Sequence, residues 1–175
     1  MKETPRQKPF ISIFTRIDKN GATFKDNLFP FLTKLHTKSE RSKTQRSIVI
    51  MDEFTFENQD RNQRKANPFR VNCIISEDKN YNAKNTLLFH DLINCLYSTT
   101  LLKKNIYIIG GQNLYEQGIN LCDKLFITEM QGEIENPDAY LPVNWDEWEI
   151  SYEKSYEADD YNEYPHSFRE YNRIS

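Results

Sequence analysis

Short apolar runs separated by more polar segments dominate the chain. Eight runs are rich in apolar and β-prone residues over strand-like lengths, at 10–14, 47–51, 70–76, 86–89, 105–109, 124–128, 148–152 and 167–172. Three helices are predicted between them, at 30–39, 91–102 and 112–121. Strands that alternate with helices predict an α/β fold whose central sheet is mostly parallel.

The C-terminal part departs from this alternation. The last two strands, 148–152 and 167–172, follow each other without a helix between them, which predicts an antiparallel hairpin at one edge of the sheet. Residues 57–68 are polar, rich in Asn and Gln, and lack periodicity, so they are predicted as a loop. The length of 175 residues suits a single domain at 10–175, preceded by a charged extension at 1–9.

Charge is distributed unevenly along the chain. The net charge is −3, but residues 1–70 hold 15 Lys and Arg against 8 Asp and Glu, whereas residues 71–175 hold 8 against 18. The basic residues concentrate in 34–46 and 61–70. Two interpretations are open: two solvated faces, or a docking surface for an anionic partner such as an acidic protein or an RNA or DNA backbone.

Several classes of protein are excluded by what the sequence lacks. No apolar run reaches the length of about 18 residues that a transmembrane helix needs, and the N-terminus has no apolar core typical of a secretory signal. Cys73, Cys95 and Cys122 form no CxxC pair, and His90 and His166 add no metal-like spacing. A disulfide scaffold and a metal site are therefore not expected, and a reducing compartment such as the cytoplasm or an organelle matrix is.

One strand ends in two glycines and leads directly into a predicted helix. Glycine lets the backbone approach a ligand closely, and the first N–H groups of a helix attract phosphate. Gly110 and Gly111 lie within Ile-Tyr-Ile-Ile-Gly-Gly-Gln-Asn-Leu-Tyr-Glu-Gln at 106–117, and Asp-Lys-Leu-Phe-Ile-Thr follows at 123–128. Two glycines alone would also fit an ordinary strand–turn–helix connection.

These segments resemble the dihydrofolate reductase family, and the resemblance extends over residues 11–173. It includes the turn at 18–21, the strand at 48–51, Arg70 before its strand, and the C-terminal Phe-Arg-Glu-Tyr at 168–171. The resemblance implies the family's fold. It also implies reduction of dihydrofolate by hydride transfer from NADPH, helped by one buried carboxylic acid on the first helix.

The resemblance further implies which residues would form the site. The position of the catalytic acid, counted without gaps, is occupied by His36. The implied cofactor-binding residues are Gly110, Gly111, Gln112, Tyr115 and Thr55. The implied substrate-binding residues are Arg70, Phe31 and Thr128, with Arg70 facing the glutamate tail of folate.

The substrate side departs from the family pattern. His36 can carry a proton, but it lacks the two coplanar oxygens that a carboxylate offers the pterin. Its alternative interpretation is an exposed polar residue of the helix. Glu40 stands where the family has an aromatic ring, and a charge buried there needs a partner. Arg70 is therefore either a clamp for a substrate carboxylate or the partner of a nearby acid such as Glu40 or Glu53.

The cofactor side departs as well. Asp52 and Glu53 replace the glycine and the basic residue that the family places near a cofactor phosphate. Residues 76–78 read Ser-Glu-Asp, where the family has a basic or Ser-rich step that favours the 2′-phosphate. Gln112 replaces the third glycine of the turn, and Phe24 replaces the glycine of the flexible loop.

Three functions stay open. The first is a family member that has lost the reaction, needs no cofactor, and serves as a structural or interaction module through the basic segments 34–46 and 61–70. The second is a divergent but active dihydrofolate reductase that uses NADPH. The third is a reductase of another heterocycle on this fold, such as the pyrimidine reductases of the riboflavin pathway. Departures on both the substrate and cofactor sides favour the first.

Overall fold

The computed structural model describes residues 8–31, 33–58 and 66–174. Within them the chain forms ten strands: β1 (Ile11–Ile17), β2 (Ala22–Phe24), β3 (Ile48–Asp52), β4 (Val71–Ile75), β5 (Leu87–Phe89), β6 (Ile106–Gly110), β7 (Lys124–Met130), β8 (Ala139–Tyr140), β9 (Trp148–Tyr156) and β10 (His166–Arg173). The same residues form four α-helices: α1 (Lys34–Lys43), α2 (Glu53–Asn58), α3 (Leu92–Thr100) and α4 (Gln112–Gly118). Most of the predicted 1–9 extension, and residues 59–65, lie outside the described residues.

Eight strands form one sheet in the order β5-β4-β3-β6-β1-β7-β10-β9. The first six run parallel, and β10 pairs antiparallel with both β7 and β9. The predicted α/β fold with a parallel centre and a C-terminal hairpin is therefore confirmed. The carboxyl ends of β1, β3 and β6 lie side by side, which is where open α/β sheets form their ligand crevice.

Both faces of the parallel strands inside the sheet are largely buried, as expected for a sheet between helices, whereas the edge strand β5 exposes Leu87 and Leu88. One face packs Ile13 and Ile108 against Leu92 of α3. The other face packs Phe14, the next residue along β1, with Phe56 of α2. Because side chains alternate across a strand, the same apolar run supplies both cores.

A buried carboxylate organises the turn that follows β1. Asp18 accepts hydrogen bonds from the backbone N–H groups of Asn20 and Ala22 at 2.8 Å and from that of Ile134 at 2.9 Å. Gly21 takes a positive φ of 87°, as the predicted turn requires. The turn leads into β2, which pairs with β8 in a separate two-stranded ribbon. This ribbon was not predicted, because two or three residues carry no readable periodicity.

Helix α1 begins and ends four residues later than the predicted 30–39. Its first turn is held by the C-terminal part of the chain. The backbone N–H of Lys34 donates to the carbonyl of Tyr161 at 3.1 Å, and that of Leu35 donates to Oδ1 of Asn162 at 3.1 Å. These tertiary contacts, rather than Pro30, set the start of the helix.

Three further observations bear on the sequence predictions. Helix α2 includes Glu57 and Asn58, so the predicted loop at 57–68 starts two residues too early. Cys73, Cys95 and Cys122 are free and buried. Among the described residues, no helix is long and apolar enough to cross a membrane.

Candidate functional site

Two cavities adjoin each other beside α1, and the smaller of them lies at the carboxyl ends of β1 and β6. The larger, of about 1140 Å³, lies against α1 and α2 and reaches Arg70. The smaller, of about 120 Å³, reaches the Gly110 turn. Four residues, Arg16, His36, Glu40 and Asn58, line both cavities and therefore lie at the boundary between them.

His36 is buried at this boundary, 6% exposed, so its interpretation as an exposed polar residue is wrong. Its Nδ1 lies 2.9 Å from Oγ1 of Thr128, in a hydrogen bond that joins α1 to β7. Its Nε2 lies 3.9 Å from Glu40. Burial, first, and then electrostatic interactions with Arg16 and His166 hold the pKa of His36 well below its usual 6.5. The imidazole is therefore uncharged at neutral pH.

Glu40 faces the arginine that the resemblance assigns to the folate tail. Its Oε1 accepts a hydrogen bond from Nη1 of Arg70 at 3.3 Å. Arg70 also donates to Oγ1 of Thr44 and to Oδ1 of Asn72, both at 3.0 Å. Burial lowers the pKa of Arg70, and Glu40 opposes that shift. Arg70 therefore pairs with a nearby acid, and that acid is Glu40. A role of Arg70 as a clamp for a substrate carboxylate stays a prediction.

Arg16 is a residue of the cleft that the sequence analysis missed. Its Nη1 donates to Oγ1 of Thr33 at 2.7 Å, and its guanidinium lies 5.0 Å from the centre of the Phe29 ring. Burial lowers the pKa of Arg16, and Glu40 raises it in compensation. A strand predicted to end at Phe14 left Arg16 outside it. The available signal was a lone arginine between Thr15 and Ile17 in a β-prone stretch.

The glycine turn is occupied by side chains of the chain itself. Gly111 has φ of 99°, and a Cβ placed on it would lie 2.6 Å from Oδ2 of Asp52. A Cβ on Gly110 would overlap the side chain of Thr55. The other oxygen of Asp52 accepts the backbone N–H of Thr55 at 2.8 Å at the start of α2. The close approach that these glycines permit is therefore used by Asp52 and Thr55.

The neighbouring acids also have partners within the chain. The hydroxyl of Ser76, which follows β4, donates a short hydrogen bond to Glu53. Asp78 accepts the backbone N–H of Asn80 at 2.8 Å, and Glu77 is exposed. The carboxyl edge of β3 and β4 therefore carries a set of acids, with hydrogen bonds that hold Glu53 and Asp78 in place.

Aromatic and amide side chains close the small cavity. Phe24 stacks on Tyr115 with ring centres 6.2 Å apart and planes 3° from parallel. Gln112 accepts from the hydroxyl of Thr23 at 3.2 Å and donates to the carbonyl of Tyr140 at 2.9 Å. Burial raises the pKa of Tyr115. Strand β2 is thus attached directly to α4.

Phe31 is placed apart from the other predicted substrate residues. Its ring contacts Tyr164 and Phe29, with ring centres 4.9 and 5.5 Å apart, and it lines neither cavity. Within the described residues, no group of three or more His, Cys, Asp or Glu side chains is arranged to hold a metal ion. His36 and Arg70 line the large cavity together. Thr128 contacts it only through its hydrogen bond to His36, and Phe31 lies apart.

Comparisons with known proteins agree with the fold. The family model described as Dihydrofolate reductase matches residues 10–173. The dihydrofolate reductase of Staphylococcus haemolyticus is 28% identical over 165 residues, which cover 94% of this chain and 96% of that protein. That of Haemophilus influenzae is 28% identical over 153 residues, covering 87% and 92%. A solved structure of dihydrofolate reductase from Enterococcus faecalis, complexed with NADP(H) and RAB-propyl, is 22% identical with a TM-score of 0.81 and covers 94% of this chain and 96% of that one.

Proposed function

Because the chain belongs to the dihydrofolate reductase family, we propose that it keeps the family fold but acts by binding rather than by reducing dihydrofolate. The observation behind this proposal is His36 at the position of the acid. The family's reaction needs a group that helps to protonate the pterin. A buried imidazole whose pKa lies well below 6.5 holds no extra proton to give at neutral pH.

The cofactor side supports the same proposal. NADPH would bring phosphates to the glycine turn, where Asp52 lies against Gly111 and Thr55 against Gly110. Glu53 adds a second carboxylate beside it. The residues present do not fit an anionic pyrophosphate group. The side chains of Asp52 and Thr55 lie against the two glycines, and the carboxylate of Asp52 would repel a phosphate. NADPH is therefore not proposed as a resident cofactor.

A divergent but active reductase is the second candidate. Gly110, Thr55 and Tyr115 still line the small cavity together, and both relatives described above are named dihydrofolate reductase. Reduction of another heterocycle also stays a prediction, with no contact of the described residues that favours it.

Turnover of dihydrofolate with NADPH, followed as loss of the reduced cofactor, separates these candidates. Wild-type protein should show no turnover above the enzyme-free rate. The triple variant His36→Asp, Asp52→Gly and Glu53→Arg should gain activity, because it introduces the acid, the glycine and the basic residue that the family has at these three positions. A matched variant with His36→Asn in place of His36→Asp should stay inactive. Wild-type turnover on the order of 1 s⁻¹, within the ordinary range of enzymes, would overturn the proposal.

The exposed face of α1 is proposed as the surface that meets a partner. Lys34, Lys38 and Arg41 are exposed and lie three or four residues apart, so they share one face of the helix. Lys43 is instead paired with Glu170, and Arg61, Arg64 and Lys65 lie outside the described residues. Binding of a single-stranded RNA should weaken with salt, with a log–log slope of about −0.7 per phosphate contact. Lys38→Glu with Arg41→Glu should abolish it, and retained binding would remove this surface.

A further inference from the structure

Arg16 is a cation in the middle of the cleft whose hydrogen-bonding capacity is largely unused. A guanidinium carries five N–H donors in a planar fork. Within the described part of the chain, Arg16 makes one hydrogen bond, from Nη1 to Thr33, and a ring contact with Phe29. The side chain is partly exposed and lines both cavities. Nε and Nη2 are therefore available to a ligand.

The guanidinium of Arg70, in contrast to that of Arg16, makes several hydrogen bonds within the protein. Its Nε and Nη1 donate to Asn72, Thr44 and Glu40, so the protein itself already engages this guanidinium. Glu40 also lies near enough to Arg16 to raise its pKa, but the two make no hydrogen bond. Arg16 on β1 thus keeps open donors at the boundary of the two cavities. Strands β6 and β3 separate it from β4 and from the arginine that the family resemblance assigns to a carboxylate clamp.

The charge of the large cavity points to the same kind of ligand. Its described lining carries four cations, Arg16, Arg41, Arg70 and Lys84, and two carboxylates, Glu40 and Glu57. The described lining therefore carries a net charge of +2, because His36 is uncharged. The volume of about 1140 Å³ exceeds what a small organic molecule needs. An anionic ligand would compensate this charge.

We propose that the cleft binds a small organic oxyanion with about two negative charges, and that Nε and Nη2 of Arg16 hold its carboxylate or phosphate group. The planar fork of arginine matches either group through two parallel hydrogen bonds. This inference rests on the proposed binding function and names the ligand class for it. Arg16 then acts as the specificity-determining residue of the cleft.

The test uses the full chain and four probes. Glutarate and phenyl phosphate represent the two sources of the oxyanion, and glutaramide and benzyl alcohol are their uncharged counterparts. Calorimetry should give a dissociation constant below 1 mM for at least one anion and no binding for the uncharged probes. Arg16→Gln should raise the dissociation constant of that anion at least tenfold. The control variant Lys103→Gln, at an exposed site away from the cleft, should leave the dissociation constant unchanged.

A second measurement does not depend on the folding of the variant. Amide chemical shifts of wild-type protein, titrated with the anion that binds, should move first around Arg16, Thr33 and His36. Binding of one anion alone would identify its source as a carboxylate or a phosphate. The inference would be overturned if neither anion bound with a dissociation constant below 1 mM, or if Arg16→Gln bound the anion as tightly as wild type. Turnover of dihydrofolate would instead contradict the proposed function and leave the anion titration to be judged separately.

Discussion

Removing the charge of Asp52 should improve binding of NADPH. Oδ2 of Asp52 lies 2.6 Å from the position of a Cβ on Gly111, so the carboxylate faces the turn that the family uses for phosphate. Oδ1 of the same side chain holds the N–H of Thr55 at the start of α2. Asp52→Asn keeps that acceptor and removes the charge, which Asp52→Gly would not do. The variant therefore separates electrostatic repulsion from loss of a helix cap.

The expected change in NADPH affinity follows from Coulomb's law for a cofactor phosphate in contact with the Asp52 carboxylate. Two like charges about 4 Å apart repel by about 4 kcal/mol at an effective dielectric of about 20. That energy corresponds to about three decades in the dissociation constant. Salt screens part of it, and Glu53 remains in place, so Asp52→Asn should tighten NADPH binding by at least about tenfold. Adding Glu53→Gln should tighten it further.

Fluorescence of the bound nicotinamide, titrated at low and high salt, measures this effect. Wild-type protein should bind with a dissociation constant above about 1 mM. Asp146→Asn, at an exposed acid outside the cleft, is the matched control and should behave as wild type. A wild-type dissociation constant in the low micromolar range would refute the reasoning. So would an Asp52→Asn variant that binds no better than the control.

The remaining predictions concern stability, measured as the free energy of unfolding in urea. Gly111→Ala should cost about 1–3 kcal/mol, because its φ is positive and its Cβ would meet Asp52. An unchanged midpoint would contradict this placement. Glu40→Ala should cost about 3 kcal/mol, because it leaves Arg70 buried without its carboxylate, and Glu40→Ala with Arg70→Met should recover part of the loss. His36 has a lowered pKa in the folded state, so the unfolded state binds more protons below about pH 6.5. Between pH 7 and 5, wild type should therefore lose up to about 2 kcal/mol relative to His36→Asn, and parallel pH curves would contradict this.

The order of strands and helices was predictable because apolar runs mark the buried strands directly. The position of α1 was not predictable from such a pattern. This helix has one buried side chain, His36, and few apolar residues to mark a buried face. Its start depends on Asn162, and its buried histidine depends on Thr128, about a hundred residues away in sequence. Contacts of that kind leave no local periodicity. This is why the helix was placed four residues too early and why its histidine was expected at the surface.

The sequence could predict individual site residues only where counting positions along the chain was sufficient to place them. Counting without gaps placed His36, Glu40 and Asp52 in the cleft, and the cavities and the glycine turn contain them. The ion pairs between these residues could not be predicted by counting positions. Arg70 had two possible acids, and geometry selects Glu40. Arg16 was missed because the strand pattern at 10–14 gave no reason to extend β1 through a charged residue.

The charges that distinguish this cleft from the family pattern are nearly all paired. Glu40 holds Arg70, Ser76 holds Glu53, and Thr55 holds Asp52 through its backbone N–H. A buried charge left alone is costly, so each acid removed by substitution exposes a partner that must also be satisfied. Single substitutions of Glu40, Asp52 or Glu53 toward the family pattern should therefore cost stability before they restore chemistry.

Arg16 differs from this paired set in a way that bears on recovery of activity. It retains open hydrogen-bond donors toward the cavities. A carboxylate introduced at position 36 would lie close to Glu40 and would be repelled by it, but Arg16 can offset that repulsion. His36→Asp should therefore be tolerated in wild type, and it should lower the free energy of unfolding much more when Arg16→Gln is present. Equal effects in the two backgrounds would show that Arg16 does not act on position 36.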